Sequence, residues 1–268
     1  MNYTPKRWIR LGLGAALIGT AGLAACGGEG GEAGETGAAA LSAPGGAAAS
    51  GEGGEMGEGE GGEGVTALDP ALLLPIDERA VLISSQVAAA GALARMGQTS
   101  DAAEHLRLAV SEIKPGGLSR LVENGFDPDL FETAADKLAS GAPPEEAEAG
   151  LVAVEANAAA LEETAAGEPV PLIALLIKRC QNAYQSGVSL NNQIEDPIAY
   201  QDAYGYAVTA QRLAGTLEGE DASGLQLELR MLVLMWPAEG PVSGDLPAPP
   251  MTFLSQLSRV QQELSALQ

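Results

Sequence analysis

The sequence predicts an all-α domain behind a disordered acidic tether, and three observations lead there. Residues 66–268 repeat apolar side chains at helical spacing, with caps and breakers between the runs. No segment alternates at the strand period. Residues 27–64 are dominated by Gly, Ala and Glu, with no basic residue and almost no large apolar one. The expected architecture is one domain of seven or eight helices, built from helical hairpins. Its length of about 200 residues is enough to bury a core without disulfides.

The elements follow in chain order. Ile83, Val87, Ala90 and Ala94 form a stripe that Gly97 stops. Thr99, Ser100 and Asp101 offer N-cap chemistry, and Leu106, Ala109, Val110 and Ile113 continue the pattern up to Pro115. Asn124-Gly125 reads as a C-cap, and Asp127-Pro128 as the N-cap and first residue of a helix carrying Leu130, Phe131, Ala134, Ala135 and Leu138 to Gly141. Pro143 and Pro144 with Glu145 and Glu146 open a helix that buries Leu151, Val154, Ala158 and Leu161 and ends near Gly167.

Pro171 is expected to start a helix running through Tyr184 to Gly187. Pro197 starts another, with Ala203, Ala207, Ala210 and Ala214 on one stripe and an end near Gly219. Leu225 to Trp236, apolar along one long side, reads as a central buried helix ended by Pro237. A Pro/Gly-rich connector leads to a last helix with Leu254, Leu257, Val260, Leu264 and Leu267. The stretches Gln86–Pro115 and Ala207–Pro237 echo each other as helix, polar turn, helix and Pro. Two related units fall short of the three or more that a solenoid needs.

The tether cannot bury enough surface to offset the entropy of ordering it, and its carboxylates repel one another. Its 38 residues would span about 35 Å root-mean-square as a Gly-rich coil. Ahead of it, Lys6, Arg7 and Arg10 precede an apolar, Gly-diluted stretch from Leu11 to Ala25. That stretch is fifteen residues long, short of the roughly twenty that span a bilayer. A charged start, a short apolar segment and small residues before a cut are the parts of a secretory signal. The ending Leu23-Ala24-Ala25-Cys26 resembles the lipobox of bacterial lipoproteins. The resemblance implies a signal peptide over 1–25, cleavage before Cys26, acyl chains on Cys26 and a membrane held through them, followed by tether (26–65) and domain (66–268). In bacteria with two membranes, an Asp after the Cys resembles an inner-membrane retention signal. Gly27 stands there instead, pointing to the outer membrane, facing the periplasm.

The formal charge of the whole chain is −22. Removing Lys6, Arg7 and Arg10 leaves 11 basic against 36 acidic residues, or −25. That sign excludes a nucleic-acid partner and leaves membrane adhesion to the acyl chains. With Cys26 lipidated, Cys180 has no partner for a disulfide. It lies on the stripe of Ile173, Leu176, Ile177 and Tyr184 and reads as a small buried hydrophobe.

Motifs for an enzyme are missing. There is no Gly-x-Ser-x-Gly elbow, no phosphate-cradling Gly-x-x-x-x-Gly-Lys, and no Gly-x-Gly-x-x-Gly behind a strand. His105 is the single histidine, which excludes the two-His zinc motif. Asp101 at i−4 and Glu112 at i+7 share its helix face, with Glu104 beside them. Such a face can hold iron or a divalent cation, and it is also the pattern of a solvated helix flank.

The segment from Tyr184 to Tyr206 concentrates four of the five tyrosines. With its Tyr200-Gln201-Asp202 run it resembles a helical pair in extracytoplasmic domains that accompany high-affinity iron permeases, in which a Tyr-x-x-(Ala/Ser)-x-x-x-Gly turn is followed by an (Ala/Glu)-Tyr-x-(Asp/Glu) helix start. The permease's membrane helices and Arg-Glu-x-x-Glu motif have no counterpart here. The resemblance implies a helical fold, metal uptake, an envelope permease as partner, and Tyr184, Tyr200, Asp202 and Tyr206 as binding residues. The tyrosines also fit amphipathic positions at a helix–helix turn. Two functions follow as expectations: a non-enzymatic envelope lipoprotein accessory to metal uptake, or a structural, protein-interaction lipoprotein with no small ligand.

Overall fold

A computed structural model describes residues 74–111, 117–238, 240–242 and 246–268. The signal, the lipobox Cys26, the tether and Glu112 lie outside the described residues. Among the described residues there are nine α-helices: α1 (Ile76–Arg95), α2 (Thr99–Ser111), α3 (Leu118–Glu123), α4 (Pro128–Ala139), α5 (Pro144–Ala165), α6 (Pro169–Gly187), α7 (Pro197–Ala214), α8 (Glu220–Val233) and α9 (Pro250–Ser265). The fold is all-α, as the spacing predicts. The ninth helix is the six-residue α3, too short to carry a periodic signal.

The caps fall where the chemistry puts them. Asp127 and Asp196 accept from the amides of Leu130 (3.2 Å) and Ala199 (3.1 Å), each with Pro at the first helical position. Gly97, Gly125 and Gly141 take positive φ after α1, α3 and α4. Two boundaries differ from expectation. Helix α6 starts at Pro169 rather than Pro171, because proline is tolerated throughout a first turn whose amides have no intrahelical partner. Helix α5 ends on Ala166, which takes the left-handed cap at φ 49°. Gly167 serves another purpose: a Cβ there would sit 2.6 Å from Asp77 Cβ.

The helices close into two rings. In the first, α1 packs on α2, α2 on α4, α4 on α5, and α5 returns to α1. Its core is mostly aliphatic, including Ile83, Leu93, Leu106, Leu151, Val154 and Leu161, with Phe126 and Phe131 as its two rings. In the second, α6 packs on α7, α7 on α8, α8 on α9, and α9 returns to α6. Its core gathers Tyr184, Tyr200, Trp236 and Phe253 around Leu176, Leu229 and Leu257. The predicted echo pairs α1–α2 with α7–α8, which is not where the rings divide.

The rings meet where α1 crosses α7. A Cβ on Gly205 would run into the Ser85 carbonyl oxygen, so only glycine lets the two backbones come this close.

One expectation fails clearly. Helix α8 is not a central buried helix. It packs on α7 and α9 with Leu225, Leu229 and Leu232 buried, and leaves Leu227, Met231 and Leu234 at 53%, 48% and 68% exposure. Apolar residues on both sides of a helix do not reveal how many neighbours it has. The central helix is α1, which touches α2, α5, α6 and α7.

Candidate functional site

At the ring junction the polar side chains form one chain of hydrogen bonds. His105 of α2 is fully buried. Its Nδ1 faces Gln86 Oε1 of α1 at 2.7 Å, and its Nε2 faces Gln201 Oε1 of α7 at 2.9 Å. Gln86 Nε2 donates to Asp202 Oδ1 at 2.9 Å, and Gln201 Nε2 donates to Asp101 Oδ2 at 3.0 Å. Asp202 Oδ1 also lies 3.4 Å from His105 Nδ1. The order is carboxylate, carboxamide, imidazole, carboxamide, carboxylate, drawn from three helices.

The pattern is close to symmetric, and both ring nitrogens face amide oxygens. With the amides assigned this way, both glutamine oxygens face the imidazole and both glutamine nitrogens face carboxylates. Turning either glutamine over would set its oxygen against a carboxylate, which can only accept. Gln86, Gln201 and His105 are buried, so the network must stay complete to avoid the penalty of orphaned polar atoms.

The sequence placed Asp101 and His105 on a polar flank of α2. The structure puts Asp101 at the half-buried edge and His105 inside, because α2 packs its His105 side against α1 and α7. Asp101 also serves Gln201 rather than capping α2. Glu112 lies outside the described residues. Among the described residues, no group of three or more His, Cys, Asp or Glu side chains is placed to hold a metal ion.

The residues from Tyr184 to Tyr206 separate. Tyr184, Tyr200 and Tyr206 are buried, while Asp202, on another side of α7, joins the His105 chain. Tyr184 stacks on Phe253 with centroids 3.5 Å apart and meets Trp236 edge-on at 5.8 Å. Its hydroxyl donates to the Ala248 carbonyl at 2.6 Å, tying α6 to the connector before α9. Burial pushes the Tyr184 phenol well above its ordinary range, and Tyr200 and Cys180 add to this. Burial alone does the same to the Cys180 thiol, which is fully enclosed and donates to the Ala203 carbonyl at 3.2 Å. Cys180 is thus the small buried hydrophobe that its stripe predicts.

Sequence reasoning missed Gln86 and Gln201, which hold the histidine. Gln86 sits three residues after Ile83 and four before Ala90, so it is a polar residue on a buried stripe, and that position was a legible signal. Gln201 precedes Gly205 and Thr209 at four-residue steps, a column of small or polar residues that marks the face of α7 against α1.

No family model matches this chain, nor does any curated protein or solved structure.

Proposed function

We propose that this chain is a non-enzymatic, lipid-anchored binding module of the bacterial cell envelope, and that it works by presenting a helical surface to a protein partner. The carrying observation is the seam of α8. Leu227, Met231 and Leu234 follow i, i+4, i+7 spacing on one face and stay exposed, while Leu225, Leu229 and Leu232 fill the core. Single exposed apolar residues are ordinary, but two on α8 and one at its C-cap, in register, suit an amphipathic helix of a partner. The anchor rests on the lipobox likeness ending at Cys26.

A photo-crosslinking residue placed at 227 or 234 in living cells should give one discrete envelope adduct. The same probe at the exposed Val152 of α5 should not. Leu227→Glu with Leu234→Glu should abolish the adduct at unchanged melting temperature. Equal adducts from residue 152, or none from either α8 site, would end this reading. Cys26→Ser should release the chain from the membrane fraction, and unchanged maturation and retention would remove the anchor.

A second reading, accessory to metal uptake, has one observation of its own. Carboxylates from two helices, Asp101 and Asp202, flank His105. Its partner would be a metal permease and its ligand iron or a divalent cation. Against it, both imidazole nitrogens are already engaged by glutamines.

A further inference from the structure

A partly open cleft of about 240 Å³ lies between helices α1, α5 and α7, and none of the exposed α8 residues lines it. Val87, Ala158 and Val208 make its walls apolar, Ser84 lines it from α1, and Glu155, Glu162 and Arg212 line it with charge. Those charges are already matched in pairs. Glu162 takes both oxygens to Arg212 Nη2, at 2.5 and 2.7 Å, and Glu155 takes Arg95 at 2.9 Å. An anion entering here would compete with two carboxylates. A cation would have to break an existing pair.

Ser84 is the irregular element. It is 9% exposed, and its hydroxyl has no hydrogen-bond partner among the described residues. A buried helical serine ordinarily turns its hydroxyl back onto the carbonyl four residues earlier, as Ser85 does onto Val81 at 2.8 Å. Ser84 does not, although an orphaned buried hydroxyl is unfavourable. Ser84 is among the residues that line the cleft, so its unpartnered hydroxyl is the polar group nearest to hand for a guest there.

We infer that this cavity binds a small uncharged molecule with an apolar body and one hydroxyl or carbonyl end, the polar end bonding to Ser84 Oγ. The size limits the guest, since drug-sized ligands occupy pockets of about 300–1,000 Å³. The paired rim charges set its neutrality.

The test is an amide NMR titration of the purified full chain with four probes of one shape: benzyl alcohol, toluene, benzoate and benzylammonium. Benzyl alcohol should give saturable shifts centred on Ser84, Ala88, Ala158 and Thr209. It should bind about five-fold tighter than toluene, the worth of one ordinary hydrogen bond. Both ions should bind more weakly than toluene. Ser84→Ala should erase the preference for benzyl alcohol over toluene. Ala159→Leu, and separately Ala88→Leu should the first fold poorly, should abolish binding of both neutral probes. The inference is overturned by any of three results: no saturable shift with benzyl alcohol, a benzyl alcohol preference that survives Ser84→Ala, or tighter binding of either ion.

Discussion

The two helical rings solve the same packing problem with different materials. The first ring, α1, α2, α4 and α5, fills its centre mostly with Leu, Val, Ile and Ala, with Phe126 and Phe131 as its only aromatic rings among the described residues. The second, α6 to α9, relies on aromatic side chains from helix ends and connectors. Tyr184 closes α6, Tyr200 opens α7, Trp236 follows α8 and Phe253 opens α9. Tyr184, Trp236 and Phe253 touch one another pairwise. An aliphatic core divides its stability among many interchangeable contacts, whereas an aromatic one concentrates it in a few large side chains. The rings should therefore fail differently.

The largest expected effect comes from Phe253→Ala. Losing the ring that stacks on Tyr184 should cost about 4 kcal/mol in denaturant unfolding and collapse the near-ultraviolet circular dichroism. Leu151→Ala in the first ring should cost less, about 3 kcal/mol, and leave that aromatic signal in place. Equal spectral loss from both would erase the contrast between the rings.

Next, Gly205→Ala should cost about 2–3 kcal/mol, because its Cβ meets the Ser85 carbonyl and must push α1 off α7. A variant as stable as wild type would mean that the rings do not depend on that close crossing.

A smaller effect, confined to the second ring, is set by pH. Cys180 and Tyr184 both have raised values in the folded chain, against ordinary values of 9.0 and 10.0. Above those ordinary values the unfolded chain sheds protons that the folded chain keeps, so stability is whole below them and falls as pH rises. The loss approaches about 1.4 kcal/mol per pH unit for each group. Cys180→Ala should delay its onset from near pH 9 to near pH 10. The smallest expected effect is the cap: Asp127→Ala in the first ring and Asp196→Ala in the second should each cost about 1 kcal/mol by thermal unfolding.

How much of this was legible follows from where each signal lies along the chain. The stripe of Leu151, Val154, Ala158 and Leu161 is one helix reporting on itself, and all four are buried. The alanines of α7 and the caps at Asp127 and Pro128 are equally local. Helix α8 departs from the expected central position because composition cannot count neighbours, and Leu227 and Leu234 are exposed. The burial of His105 depends on partners 19 and 96 residues away, and no helical wheel drawn on α2 contains them. The cavity beside Ser84 needs three helices before it exists.

The Asp101–Gln201–His105–Gln86–Asp202 chain joins the two rings, with both imidazole nitrogens engaged by glutamines, and the claim that its role is structural is the one to test. It is tested most directly by thermal unfolding of the purified wild-type and His105→Ala chains, each with and without ferric or zinc ions. Deleting the imidazole orphans two buried amide oxygens, so the variant should lose on the order of 3 kcal/mol with or without metal. Any capture of cations by the acidic tether should shift both chains alike. A variant as stable as wild type without metal, combined with a metal-induced rise that only the wild type shows, would contradict the claim and return His105 to the role of a ligand.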